Sequence, residues 1–182
     1  LKLIIEFGPK ILSAFRRKNQ RQLRKLNDEV LRACALDCSK VNFNLAVFSY
    51  VLSKIVSKPR LLRREYSARL QAIEKTLERL LRRARGGNVK EITEIFASLE
   101  RDIIALEKED PRFLLDLVSK GKLKMAATFY AQGMSLGVAS DMTGLEKQEI
   151  MDYAGQTMMF DRLEEEVGIL ERMKTARRFI SE

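Results

Sequence analysis

Between Leu62 and Ala84 the apolar residues Leu62, Tyr66, Leu70, Ile73, Leu77, Leu80 and Ala84 recur at intervals of three and four, the repeat of one helix face. Arg85-Gly86-Gly87-Asn88 interrupts the pattern. Val89, Ile92, Phe96, Leu99, Ile103 and Leu106 then resume it as far as Asp110-Pro111. Two narrow stripes of similar length, joined by a glycine turn, bury themselves most simply against each other. They predict an antiparallel αα-hairpin with a coiled-coil-like seam. Nine Gly and three Pro in 182 residues leave little of the turn punctuation that strands require. The expected fold class is all-α, a multi-helix bundle built around this long hairpin.

The net charge of +9 hides an asymmetry. Residues 1–87 hold 21 Lys and Arg against seven Asp and Glu, net +14, whereas residues 88–182 hold 13 against 18, net −5. Within the hairpin, residues 60–85 carry +6 and residues 89–110 carry −4. Packed together they neutralise each other, so Glu91, Glu94, Glu100, Asp102 and Glu107 are expected to face Arg64, Arg69, Arg79, Arg82 and Arg83. Glu65 with Arg69, and Glu78 with Arg82, place acid four residues before base, the favourable helical order. The alternative use of this arginine is a phosphate-binding tip of Arg79, Arg82, Arg83 and Arg85 at the turn. The amino-terminal cluster Arg16, Arg17, Lys18, Arg21, Arg24 and Lys25 has no acidic neighbour in sequence: residues 1–26 carry eight bases and one acid, Glu6. It is the chain's clearest electrostatic footprint for a polyanion, with a solvated helix face as the other reading. Phe15 is the only aromatic residue near enough for base stacking, which favours duplex over single-stranded nucleic acid.

Residues 43–56 are apolar around most of a helix circumference and predict a central buried helix ended by Ser57-Lys58-Pro59. Asn27-Asp28 reads as a helix cap before it. Three regions follow: residues 1–58, basic helices and the core helix; 59–110, the hairpin; and 111–182, the remainder, with all three free to pack as one domain. Cys34 and Cys38 share a helix face in poor geometry for a disulfide and read as buried thiols. Residues 1–15 lack the apolar core and cleavage site of a signal peptide and predict either a helix docked into the core or one lying on an anionic membrane. The longest run without a charge, residues 41–53, is too short to cross a bilayer. The expected location is the cytoplasm.

After Pro111 come a short amphipathic piece at 113–118, a break at Gly121, and a helix from Leu123 to Gln132. Residues 134–153, Met-Ser-Leu-Gly-Val-Ala-Ser-Asp-Met-Thr-Gly-Leu-Glu-Lys-Gln-Glu-Ile-Met-Asp-Tyr, then resemble a helix-turn-helix unit. Ser135 suits the first cap, Ser140 the helix crossing, Gly144 a left-handed turn and Leu145 the corner, with Ile150 and Tyr153 as anchors. A tight αα-corner with no role in DNA binding has the same steric needs. The stretch is similar to the unit found in a small prokaryotic, especially archaeal, antitoxin-like family encoded beside PIN-domain toxins. That resemblance implies transcriptional autoregulation and partner binding, with Ser135, Gly144, Leu145 and Ile150 as scaffold positions. It covers about a fifth of the chain. DNA-binding versions commonly open the second helix with Ser, Thr or Asp and display Arg, Lys, Gln or Asn. Here the helix opens with Glu146 and displays Lys147, Gln148, Glu149 and Asp152, a surface that phosphates repel. Lys147 and Gln148 can reach bases only if phosphate contacts come from elsewhere. A last helix, residues 160–180, is expected to pack on the unit or to dimerise.

The absence of histidine removes Ser/His/Asp and Cys/His catalysis and every His-ligated metal, and two thiols cannot close a four-ligand zinc site. No carboxylate pair sits in a recurrent ligand pattern, and Gly86-Gly87 lacks the strand that precedes a phosphate loop. The expectation is a non-enzymatic protein with neither cofactor nor small-molecule substrate. Two functions compete. One is a DNA-binding regulator using Arg16, Arg17, Lys18, Arg21, Arg24, Lys25, Lys147 and Gln148. The other is a helical adaptor that binds another protein or a second copy of itself.

Overall fold

A computed structural model of the chain describes residues 1–37, 39–109 and 116–159. Cys38, the first part of the piece expected at 113–118 and the helix expected at 160–180 lie outside the described residues. The described residues form eight α-helices and no strand: α1 (Lys2–Arg16), α2 (Gln20–Leu36), α3 (Lys40–Val56), α4 (Ser67–Ala84), α5 (Val89–Glu109), α6 (Leu117–Ala131), α7 (Leu136–Thr143) and α8 (Lys147–Gln156). The described residues are all-helical, in keeping with their periodicity.

Helix α3 organises the rest. Of its 17 residues, 13 are buried, because α1, α2, α5, α6 and α7 all pack against it. Phe48 stacks on Phe96 of α5 with ring centroids 5.4 Å apart, and Phe43 tilts against Phe129 of α6 at 6.0 Å. Such pairs add roughly 0.5–1.5 kcal/mol beyond the area they bury. Ser39 caps the start of α3 by accepting from Asn42 N–H at 3.2 Å. The helix ends at Val56, just before Pro59. Helix α1 buries Leu3, Ile4, Phe7, Ile11, Leu12 and Phe15 and packs on α2, α3 and α4, which favours the docked reading of the amino-terminal segment over the membrane-surface one.

Three expectations need correction. Asn27 is no cap: it lies inside α2, buried, its Nδ2 donating to the Ala46 carbonyl at 2.9 Å and to Ser49 Oγ at 2.8 Å. The cap is Asn19, which accepts from Gln22 N–H at 3.0 Å. The regular helix expected from Leu62 starts only at Ser67, because residues 59–66 form two 3-10 turns separated by an extended Arg63 with φ −71° and ψ 160°. Leu61 rather than Leu62 takes the fully buried place. Gly121 does not break a helix: α6 runs straight through it. A Cβ there would lie 2.9 Å from Val51 Cγ2 on α3, so the glycine marks the closest approach of two packed helices.

Helices α4 and α5 lie alongside each other, the start of one against the end of the other. Arg69 Nε pairs with Glu109 Oε1 at 2.6 Å, Arg83 Nε pairs with Glu91 Oε1 at 2.9 Å, and between them Thr76 donates to Asp102 at 2.6 Å. Two other acids of α5, expected to face the α4 arginines, turn to α6 instead. Glu100 pairs with Lys122 at 2.9 Å, and Glu107 accepts from the Leu117 N–H at 2.8 Å. A smaller apolar cluster joins Ala126 and Ala127 of α6 to Ala139 of α7 and to Ile150 and Ala154 of α8. Alanines at this seam let the short helices approach α6 closely.

Two stability predictions follow from this packing. Gly121→Ala gains about 1 kcal/mol of helix propensity but overpacks the Val51 contact, at a cost of about 1–3 kcal/mol. Denaturant unfolding should find the variant less stable than the parent; in a Val51→Ala background the sign reverses and Gly121→Ala stabilises. Glu107 titrates above the ordinary carboxylate range, chiefly because it is partly buried; the Leu117 hydrogen bond works against this, Asp116 adds to it and Lys120 opposes it. A raised carboxyl pKa gives stability that is complete below the unfolded value and is lost as pH rises through the folded one. Glu107→Gln, which keeps an acceptor for Leu117, should therefore melt higher than the parent near about pH 7 and lose that advantage towards about pH 4.

Candidate nucleic-acid interface

The six bases of the amino-terminal cluster are all exposed, yet the fold divides them. Arg16, at the end of α1, reaches α4, with Nε 3.5 Å from Glu74 Oε2 and Nη2 on Glu78. The sequence places no acid near this cluster; the packing of α1 on α4 supplies two from about 60 residues away. Glu78, expected to support Arg82 along its own helix, thus pairs across the fold, while Arg69 meets an acid of α5 as the hairpin reading expects. Arg17 folds back on α1, its Nη2 donating to Ser13 Oγ at 2.8 Å. Lys18 occupies the corner between α1 and α2 with a left-handed φ of 53°. Arg21, Arg24 and Lys25 follow on the outward face of α2, opposite the buried Leu23, Leu26 and Val30. Lys18, Arg21 and Lys25 make no ion pair with any described residue.

Of the four arginines expected at the α4–α5 turn, Arg82 and Arg85 are exposed and the other two meet acids. Arg83 is held by Glu91, and Arg79 shares a shallow depression with Glu91 and Glu94.

At α7 and α8 the backbone follows the side chains named for it. Ser135 accepts from Val138 N–H at 3.2 Å, and Gly144 ends α7 with φ +72°, a conformation that costs any residue with a Cβ. Ser140 Oγ donates to the Leu145 carbonyl at 2.7 Å, and Thr143 Oγ accepts from Leu145 N–H at 3.1 Å, so two hydroxyls brace the corner. Ile150 is fully buried, while Leu145 and Tyr153 pack half-buried beside it. Lys147 and Gln148 are exposed. Gln148 Nε2 donates to Asp152 Oδ1 at 2.7 Å, which occupies the amide expected to read bases.

Between α2, α3 and α6 the fold assembles a cationic recess that sequence reading missed. It has a volume of about 340 Å³ and is lined by Arg24, Asp28, Tyr50, Lys54 and Lys124, among others. Lys124 Nζ stands 4.6 Å and Lys54 Nζ 5.3 Å from the centroid of the Tyr50 ring. The Tyr50 hydroxyl is pushed up to about 12, first by burial and then by Tyr153 of α8, with Arg24 pulling it down. Tyr50 therefore lies within electrostatic reach of both α2 and α8. The one available signal was Lys54, the sole charge in residues 41–56; nothing linear links it to Arg24 or Lys124. Among the described residues, no direct hydrogen bond or ion pair joins Lys147 or Gln148 to the amino-terminal cluster. Among them, too, no helix is long and apolar enough to cross a membrane, and no group of three or more Cys, Asp or Glu is placed to hold a metal ion.

Comparison of the chain with protein-family models, curated proteins and solved structures gave no match.

The division of the cluster is measurable. Arg16→Gln should cost no more than about 1 kcal/mol, since both of its pairs are solvent-exposed. Arg16→Glu should cost more, because it sets a third carboxylate against Glu74 and Glu78. Arg21→Glu should leave stability unchanged within about 0.5 kcal/mol. Chemical denaturation of the three variants distinguishes the spent arginine from the available one.

Proposed function

We propose that this chain is a non-enzymatic, cytoplasmic DNA-binding regulatory protein of prokaryotic type. In this reading α7, the Gly144 corner and α8 form a helix-turn-helix-like unit, and α4 with α5 is the antiparallel hairpin that braces the bundle. Exposed bases of α1 and α2 supply the phosphate contacts. The supporting observation is that Arg24 of the basic helix and Tyr50 of α3 line one recess. Helix α8 packs on α6, whose Lys124 lines the same recess as Arg24, and in this reading a single duplex engages both elements. Lys18, Arg21, Arg24 and Lys25 carry the affinity, with Arg17 beside them. Lys147 contributes at the edge of α8. Glu146, Glu149 and Asp152, together with the Gln148–Asp152 hydrogen bond, keep base readout weak.

A second reading has its own support. Val138 of α7 and Met151 of α8 are large apolar side chains left exposed on the unit. With the acidic surface of α8 they fit a protein partner or a second copy of the chain better than a phosphate-lined groove. On this reading the protein is an antitoxin-like adaptor.

Fluorescence anisotropy with a labelled duplex of mixed sequence, titrated between about 50 and 200 mM salt, separates the two. The DNA-binding reading expects a log–log salt slope of about −4 to −5, corresponding to roughly five neutralised phosphates. Arg21→Glu with Lys25→Glu should weaken binding and flatten that slope by about two. An absence of binding at the lowest salt overturns this reading in favour of the adaptor.

A further inference from the structure

We infer that the recess between α2, α3 and α6 is a binding site for a phosphoryl group. Three helices each deliver one cation to it, Arg24, Lys54 and Lys124, against the single carboxylate of Asp28. Two of these cations gather over one aromatic ring, whose negative face offsets part of their mutual repulsion. Tyr50 keeps its proton at every physiological pH and so presents a hydroxyl donor beside the cations.

The geometry selects the ligand chemistry. Cations arriving from three directions are best matched by a tetrahedral group with three charged oxygens; a planar carboxylate offers two. Arg24 adds a planar fork suited to two of them. Tyr50 is the only large apolar surface among the lining residues, which argues against an aromatic or aliphatic ligand. About 340 Å³ lies at the small end of ligand cavities and accommodates one or two phosphoryl groups. The group belongs either to a free phosphorylated small molecule or to a nucleic-acid backbone.

Titration calorimetry of the full chain with sodium pyrophosphate at constant ionic strength tests the site. Saturable binding is expected. Arg24→Gln and Lys54→Gln should each weaken it about tenfold, in line with the loss of one charge-assisted hydrogen bond. Tyr50→Phe should weaken it less, and Lys108→Gln, on α5 away from the recess, should stay within about twofold. Thermal melts confirm that each variant is folded. No heat at millimolar pyrophosphate, or an equal loss in Lys108→Gln, overturns the assignment. Adding labelled duplex to the pyrophosphate-loaded protein then identifies the source. Mutual exclusion assigns the recess to backbone phosphate, and simultaneous binding assigns it to a free ligand. If duplex fails to bind at all, the DNA-binding reading falls while the pyrophosphate result stands.

Discussion

A helix that is apolar around most of its circumference must be enclosed, and the rest of this molecule is arranged to meet that requirement. Helix α3 exposes almost none of its length, and water is excluded from it only when α1, α2, α5, α6 and α7 close around it. The cost of an incomplete enclosure is steep, since each large side chain left wet forgoes about 1.5–3 kcal/mol of burial. The position of every neighbouring helix is therefore set by α3. So is the position of whatever polar groups those neighbours carry outward.

Charge is distributed by the same packing. The α4–α5 pair cancels much of its own excess at its two ends, through Arg69 with Glu109 and Arg83 with Glu91. Arg16 is drawn into that system by Glu74 and Glu78. Among the described residues an exposed basic strip runs along α2, and Arg24 at its edge meets Lys54 of α3 and Lys124 of α6 in one recess. Arg24, Lys54 and Lys124 thus gather positive charge where α2, α3 and α6 meet, while α8 turns acids outward.

The all-helical class, the core helix and its end before Pro59, and the cap and left-handed corner at Ser135 and Gly144 were legible because they depend on local periodicity and local backbone chemistry. Three features were not. Residues 59–66 keep helical spacing of apolar positions, yet they form 3-10 turns broken at the extended Arg63, and period alone does not distinguish the two. Gly121 and Asn27 carry the sequence marks of a breaker and a cap. Both are interior residues whose roles come from a partner helix, Val51 at one and Ala46 with Ser49 at the other. The candidate site was legible as the exposed row Lys18, Arg21 and Lys25. Arg16 was assigned to it because Glu74 and Glu78 are distant in sequence, and Lys54 and Lys124 were omitted for the same reason.

The buried Asn27 amide has a consequence for orientation. Apolar packing between α2 and α3 tolerates a slide of one helical turn, about 5.4 Å, or a modest rotation, because leucine-like surfaces are interchangeable. An amide with two fixed acceptors on α3 does not tolerate either, since both shifts strand buried donors in an apolar interior. Asn27 therefore works as an index pin: it admits one rotational setting of α2, the setting in which Arg24 overlooks Tyr50 and Arg21 and Lys25 face solvent. The direction in which these bases face is decided by an uncharged side chain that itself forms part of the recess wall.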